Sequence, residues 1–255
     1  MKYTIEGNEN GKLIVFINGA GLSKWMWDEQ KVLCNQYKCL FFDLPGHGEN
    51  CNVDFNTIEE VSKFVAEVVK KESVDGKAFI IGLSIGGQIV LNMLKNHRDV
   101  ICKAIVVSAL NKPMNGIKVL FGLMVSMSMP LIRNKTFSKY QAKAFSLPDK
   151  WFEKYYEDSL KISKKTLTRI IEENMSFNFN DKVTGIPTLI LIGEKEKGIM
   201  IKSAKKTLSM VENSLGYVVK GASHGIPYEK KDVFNELLFD FFEDNELKDE
   251  YLSKL

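Results

Sequence analysis

Ten residues, Ala78-Phe79-Ile80-Ile81-Gly82-Leu83-Ser84-Ile85-Gly86-Gly87, constrain what this chain can fold into more than any other stretch. A short apolar run ends in Gly-x-Ser-x-Gly, and Gln88 to Leu94 then follow with helical spacing. The pattern predicts a strand that stops, a sharp turn with Ser84 at its apex, and a helix that begins at once. Gly82 and Gly86 have a steric reason to be there, because their missing side chains let strand and helix backbones pass close together. Ser84 would then sit at a helix N-terminus, where free backbone N–H groups and the helix dipole favour negative charge. The motif alone would also suit a glycine-rich turn opening an ordinary helix. The strand-like run before it and the helical run after it argue for the sharper reading.

Strand-like runs recur along the chain. Residues 2 to 6 alternate, and Asn8-Glu9-Asn10-Gly11 is a turn signal. Leu13 to Ile17 and Lys38 to Phe42 are continuous apolar runs of the kind buried on both faces of a parallel sheet. Thr57, with Glu60 three residues on, predicts a capped helix from about Ile58 to Lys71. Further strands are expected at Ala78 to Gly82, Ile101 to Ala109, Thr188 to Ile192 and Gly216 to Lys220, with a last helix from about Lys231 to Phe242. The charged tail, Glu243 to Leu255, has little to bury and is expected to fray. Strands alternating with helices predict an α/β fold with a mostly parallel sheet flanked by helices. From about Lys112 to Asn180 the strand pattern stops, so residues 112–180 read as a helical insertion in a core made of 1–111 and 181–255.

Composition excludes several classes. A net charge of +3 over 255 residues argues for neither nucleic acid nor an anionic surface. The four cysteines, Cys34, Cys39, Cys51 and Cys102, form no Cys-x-x-Cys pair and read as thiols in a reducing compartment. No apolar segment follows Lys2 as a signal peptide requires, so a cytoplasmic address is expected. Residues 116 to 132 are strongly apolar, but they are short for a span and carry Lys118 and Pro130, so a buried or pocket-lining helix is expected there. No metal cluster, dinucleotide motif or phosphate-binding loop is present, so no metal and no cofactor are expected.

In an open parallel sheet, ligands bind at the carboxyl ends of the strands. The residues following those strands are Asn18-Gly19-Ala20, Asp43 to Gly48, Ser84, Asn111, Glu194-Lys195-Glu196 and His224. They hold a serine, a carboxylate and a histidine in the order Ser, acid, His. With Phe16-Ile17-Asn18-Gly19-Ala20-Gly21, Asp43-Leu44-Pro45-Gly46-His47-Gly48 and Gly221-Ala222-Ser223-His224, these motifs resemble those of the α/β-hydrolases, in the capped esterase- and lipase-like branch. The resemblance covers nearly the whole chain.

That resemblance implies Ser84 as nucleophile and His224 as the base that activates it. It implies Glu196 as the acid that orients the imidazole, with Glu194 as the neighbour to be told apart from it. The family usually has Asp there, so glutamate requires the loop to sit slightly further back. Backbone N–H groups of Ala20 and Ile85 would form the oxyanion hole. Asn18 replaces the family's usual histidine, which puts the internal hydrogen bonds of that loop in question. Of the three histidines, His97 reads as a solvated helix end and His47 as mainly structural.

The insertion is rich in Met, Phe and Tyr, most of which should pack it against the core. Trp25, Met124, Phe145 and Trp151 are the candidates for a hydrophobic pocket wall. The function expected is hydrolysis of a small to medium, apolar carboxylic ester through an acyl-enzyme. Thioester, carbon–carbon or peptide cleavage on the same triad is the alternative, as is a ligand-sensing protein on a hydrolase scaffold. The partner expected is a small-molecule substrate, with neither nucleic acid nor an integral membrane span.

Overall fold

A computed structural model gives the structure of the chain and describes residues 1–114, 125 and 127–255. Eight strands form one sheet: β1 (Tyr3–Gly7), β2 (Leu13–Ile17), β3 (Lys38–Phe42), β4 (Ala78–Leu83), β5 (Ile101–Val107), β6 (Thr188–Gly193), β7 (Ser214–Val219) and β8 (Leu252–Lys254). Their spatial order is β1-β3-β2-β4-β5-β6-β7-β8. Only the edge strands β1 and β8 run antiparallel to their neighbours. The fold is therefore α/β, with a mostly parallel sheet.

The continuous apolar runs feed two cores. Leu13, Val15, Ile17 and Ile80 point into one, and Ile14, Phe16, Phe79 and Ile81 into the other. Side chains alternate across a strand, so a strand covered on both faces must be apolar at every position. Helices α1 (Ile58–Glu72) and α2 (Ile85–Asn96) cover the first face. The 3-10 helix Lys24–Asn35 covers the other, together with α7 (Ile226–Glu229) and α8 (Lys231–Phe242). Burying each such Leu, Ile or Phe contributes about 1.5–3 kcal/mol. The Thr57 hydroxyl caps α1 by accepting from the Glu60 N–H at 3.1 Å. The reciprocal half of the capping box is missing, since Glu60 Oε2 accepts from Asn56 Nδ2 instead.

Between β5 and β6 the chain forms helices α3 (Lys135–Ala144), α4 (Phe152–Ser159) and α5 (Lys164–Ser176). Asn111 ties the two stems of this segment together. Its Oδ1 accepts from the Phe179 N–H at 2.7 Å, and its Nδ2 donates to the Phe179 carbonyl at 3.2 Å. Gln88 on α2 holds α5: its Nε2 donates to the Asn174 carbonyl at 3.0 Å, and its Oε1 accepts from Asn174 Nδ2 at 3.2 Å. Helix α6 (Gly198–Met210) then connects β6 to β7.

Two expectations need correction or restriction. The C-terminal tail does not simply fray: Leu252 is buried, and β8 pairs antiparallel with β7. One buried leucine in three residues is too short a pattern to read as a strand. The apolar stretch 116–132 lies mostly outside the described residues, as does Met124. Among the described residues no helix is long and apolar enough to cross a membrane.

Candidate active site

Register brings the strand ends together. Ile17 pairs with Gly82, Leu83 with Val107, and Gly193 with Val219, so β2, β4, β5, β6 and β7 end on one rim. Ser84 stands at that rim with φ 58° and ψ −116°. A non-glycine residue held there costs about 1–3 kcal/mol, and the surrounding chain supplies the constraint. The Ser84 N–H donates to the Val107 carbonyl at 2.8 Å, and its own carbonyl accepts from the Gln88 N–H to start α2. A Cβ on Gly82 would stand under 3.0 Å from the Gly86 carbonyl, and one on Gly86 under 3.0 Å from the Ile17 carbonyl oxygen. Both glycines are therefore required by backbone approach.

His224 and Glu196 meet in a hydrogen bond. Nδ1 of His224 lies 2.7 Å from Glu196 Oε1, with the glutamate side chain 4% exposed and the imidazole 34%. An ionised carboxylate only accepts, which places the imidazole proton on Nδ1 and leaves Nε2 free to take another. Glu196 Oε2 accepts from Ser108 Oγ at 2.6 Å and from the Gly193 N–H at 2.9 Å. Glu194 points elsewhere, accepting from the Gly221 N–H at 2.8 Å. Asn111 is among the residues that follow β5. The residue that meets Glu196 there is Ser108, and Asn111 serves the stems. Ser108 takes a left-handed φ of 50°, which does not show in sequence.

The loop carrying Ala20 is braced from two sides. Asn18, fully buried, donates through Nδ2 to the Leu22 and Gly19 carbonyls and accepts at Oδ1 from the Leu44 N–H at 3.2 Å. The loop thus gains from Asn18 the internal hydrogen bonds that the missing histidine had put in question. His47, also buried, accepts from the Gly21 N–H at Nε2 (2.9 Å) while Nδ1 faces the Pro45 carbonyl at 3.0 Å. That pattern requires the neutral ring with its proton on Nδ1. The Ile85 N–H opens α2 and has no intrahelical acceptor. Among the described residues the Ala20 N–H likewise has no protein partner.

Burial holds the His47 pKa below its ordinary value. The folded state then resists a proton that the unfolded chain takes up, so stability present above about pH 6.5 declines as pH falls toward the depressed folded value. Urea unfolding between pH 7.5 and 5.5 is expected to show a shallower pH slope in His47→Gln than in the natural protein. Equal slopes would remove His47 as the source.

Ser84 and His224 share the wall of a cavity of about 270 Å³. The rest is largely apolar, including Leu22, Leu83, Phe145, Ile170 and Tyr228. Burial pushes the Tyr155 phenol on this wall up to about 12, so it stays protonated and is no base at neutral pH. An adjoining cavity of about 290 Å³ opens at Ser84 and His224 between Met114, Met175 and Met200. Of the aromatic candidates, Phe145 is on the wall. Trp25 and Trp151 are not: their rings meet edge-on at 5.6 Å, and Trp25 Nε1 donates to Asp158 at 2.8 Å. They pin α4 to the body, a contact that aromatic content alone does not reveal. Among the described residues no hydrogen bond joins Ser84 to His224. Nor, among those residues, does any group of three or more His, Cys, Asp or Glu converge to hold a metal.

Comparison with known proteins fits this architecture. Residues 14–237 match the model of the alpha/beta hydrolase family. A 2-hydroxy-6-oxo-6-(2'-aminophenyl)hexa-2,4-dienoic acid hydrolase of Metapseudomonas resinovorans is 24% identical, over 91% of this chain and 84% of its own. A bifunctional esterase/perhydrolase of Acinetobacter calcoaceticus is 23% identical, over 92% of this chain and 93% of its own. Among solved structures, a thermophilic esterase from Thermogutta terrifontis superposes with a TM-score of 0.79 at 17% identity, over 95% of this chain and 93% of that one. With a family model spanning residues 14–237 and a sheet of the matching kind, the chain belongs to the alpha/beta hydrolase family.

Proposed function

We propose that the protein is a serine carboxylesterase for neutral, apolar esters, with Ser84, His224 and Glu196 as its triad. The observation that carries this reading is the 2.7 Å His224–Glu196 hydrogen bond, with the imidazole and Ser84 on the wall of one apolar cavity. His224 Nε2 takes the Ser84 proton as Oγ attacks the ester carbonyl carbon. The tetrahedral oxyanion lies against the N–H groups of Ala20 and Ile85, each worth about 3 kcal/mol in the transition state. Collapse breaks the ester C–O bond, and the imidazolium protonates the departing alcohol. Water, deprotonated by His224, then attacks the acyl carbon and frees the acid and Ser84. Glu196 keeps the proton on Nδ1 and stabilises the imidazolium. Helices α3, α4 and α5 act as a cap that roofs the cavity.

The charge of the wall separates esters from acid substrates. The Metapseudomonas relative is named for a dienoic acid. Among the described residues lining the two cavities there is no Lys or Arg to pair with such a carboxylate. Burying an unpaired carboxylate is costly, which favours a neutral substrate. The test compares p-nitrophenyl butyrate with mono-p-nitrophenyl succinate. At least about tenfold higher kcat/KM for the neutral ester is expected, one unit of 1.4 kcal/mol. Preference for the succinate would overturn the substrate class. Glu196→Gln should lower kcat by about 10³–10⁴-fold, because a neutral amide no longer holds the right tautomer. Glu194→Gln, whose carboxylate faces Gly221, should change kcat little.

A further inference from the structure

Helix α3 ends on a serine where the backbone favours glycine. The Ser146 N–H donates to the Lys143 carbonyl and the Leu147 N–H to the Ala142 carbonyl, the paired bonds of a Schellman turn. Ser146 occupies its left-handed position at φ 55°. Glycine adopts that conformation without the Cβ penalty that serine bears.

The strained serine has a partner outside its helix. Ser146 Oγ lies 2.7 Å from Ser223 Oγ, on the residue just before His224. Ser223 Oγ donates its only proton to Glu229 Oε1, so it accepts from Ser146. Glu229 then clasps the histidine loop on both sides. Its Oε2 accepts from the Ser223 N–H at 3.0 Å and its Oε1 from the Gly225 N–H at 2.9 Å. A second bond fixes the same helix end, from the Tyr228 hydroxyl to the Phe145 carbonyl at 2.7 Å. Phe145 itself stands on the cavity wall.

We propose that Ser146, Ser223 and Glu229 form a positioning chain that sets the orientation of His224 and couples it to the helix end carrying Phe145. The inference rests on the reading of His224 as the catalytic base. Among the described residues none of the three hydrogen-bonds to the Ser84 hydroxyl or the imidazole. They act through the backbone on either side of residue 224. A substrate group pressed on Phe145 would thereby bear on the histidine loop.

Ser146→Gly is the decisive variant, because it removes the hydroxyl while giving the turn the residue its backbone prefers. Its Tm is expected to equal or exceed that of the natural protein by about 2 °C. Its kcat on p-nitrophenyl butyrate should nonetheless fall about tenfold, with KM changed less than about twofold, as for a misplaced catalytic group. Ser223→Ala should cost a similar factor, and the double variant little more than either alone, since both break one chain. Glu229→Gln, which keeps one acceptor oxygen, should retain more activity than Glu229→Ala. The His224 Nδ1 proton resonance should shift or broaden in Ser146→Gly. Natural kcat together with an unchanged resonance in Ser146→Gly would overturn the proposal. If the natural protein turns over no ester, or Ser84→Ala is equally active, the esterase reading fails instead. The resonance comparison would still decide the positioning chain.

Discussion

Ser84→Ala is expected to lower ester hydrolysis by about 10⁵-fold or more, because it deletes the hydroxyl that attacks the ester in the proposed mechanism. The fold should persist, since alanine keeps the backbone geometry and, among the described residues, no hydrogen bond of the Ser84 side chain supports the elbow. Ser84→Gly is the sharper companion. At φ 58° and ψ −116° glycine relieves strain that serine and alanine both bear, so this variant should be more stable by about 1 kcal/mol while equally inactive. Steady-state rates with p-nitrophenyl butyrate and chemical unfolding measure the two effects separately. Hydrolysis by Ser84→Ala within tenfold of the natural protein would place the nucleophile elsewhere. A fluorophosphonate label mapped by mass spectrometry would then find it.

The second large effect is expected at Gly193, where the acid loop and the histidine loop touch. A Cβ there would stand under 3.0 Å from the carbonyl oxygens of Ser223 and Ala222. These are backbone atoms and cannot swing aside as a side-chain tip can. The Gly193 N–H also donates to Glu196 Oε2, so pushing the loops apart disturbs the acid and the base together. Gly193→Ala should cost about 3 kcal/mol of stability, or about 6–12 °C in Tm for a chain of this size. A shift of about 1 Å in the His224 loop should add a loss of about 10² in kcat. Gly198→Ala is the control, because a Cβ at the start of α6 meets nothing within 4 Å. It should be neutral or slightly stabilising. A Gly193→Ala variant with natural Tm and kcat would show that the loops have slack.

The first prediction lies where local sequence rules were strong, the second where two distant loops meet. The elbow was readable because a strand, a tight turn and a helix leave few residue types that fit, and each left its mark within ten positions. That residues 84 and 196 each follow a strand was readable from buried apolar runs, which state their own ends, whereas the place of those strands in the sheet was not. The 2.7 Å contact between Glu196 and His224 came from packing, because it depends on how far two loops lean toward each other. Glutamate at 196 suits that distance with help from Ser108, whose hydroxyl holds the second carboxylate oxygen.

The braces of the Ala20 loop were harder to foresee. Asn18 and His47 are far apart in sequence and meet the loop only because β2 and β3 are neighbours in the sheet. The pocket wall was harder still. Trp25 and Trp151 have the composition of a pocket wall, yet they pack on each other, while Phe145 at the end of α3 faces the cavity. Helical periodicity tells which residues share a stripe, but not whether that stripe meets a core, another helix or a cavity.

By itself, the sequence determined the strands, the glycines of the elbow and the order serine, acid, histidine, because each follows from the steric and hydrophobic needs of a few adjacent residues. Tertiary structure alone decided which aromatic rings border the cavity, that the tail closes the sheet as β8, and that Ser146 reaches Ser223. Those depend on distances between segments remote in the chain, and such distances arise only when the whole core has packed.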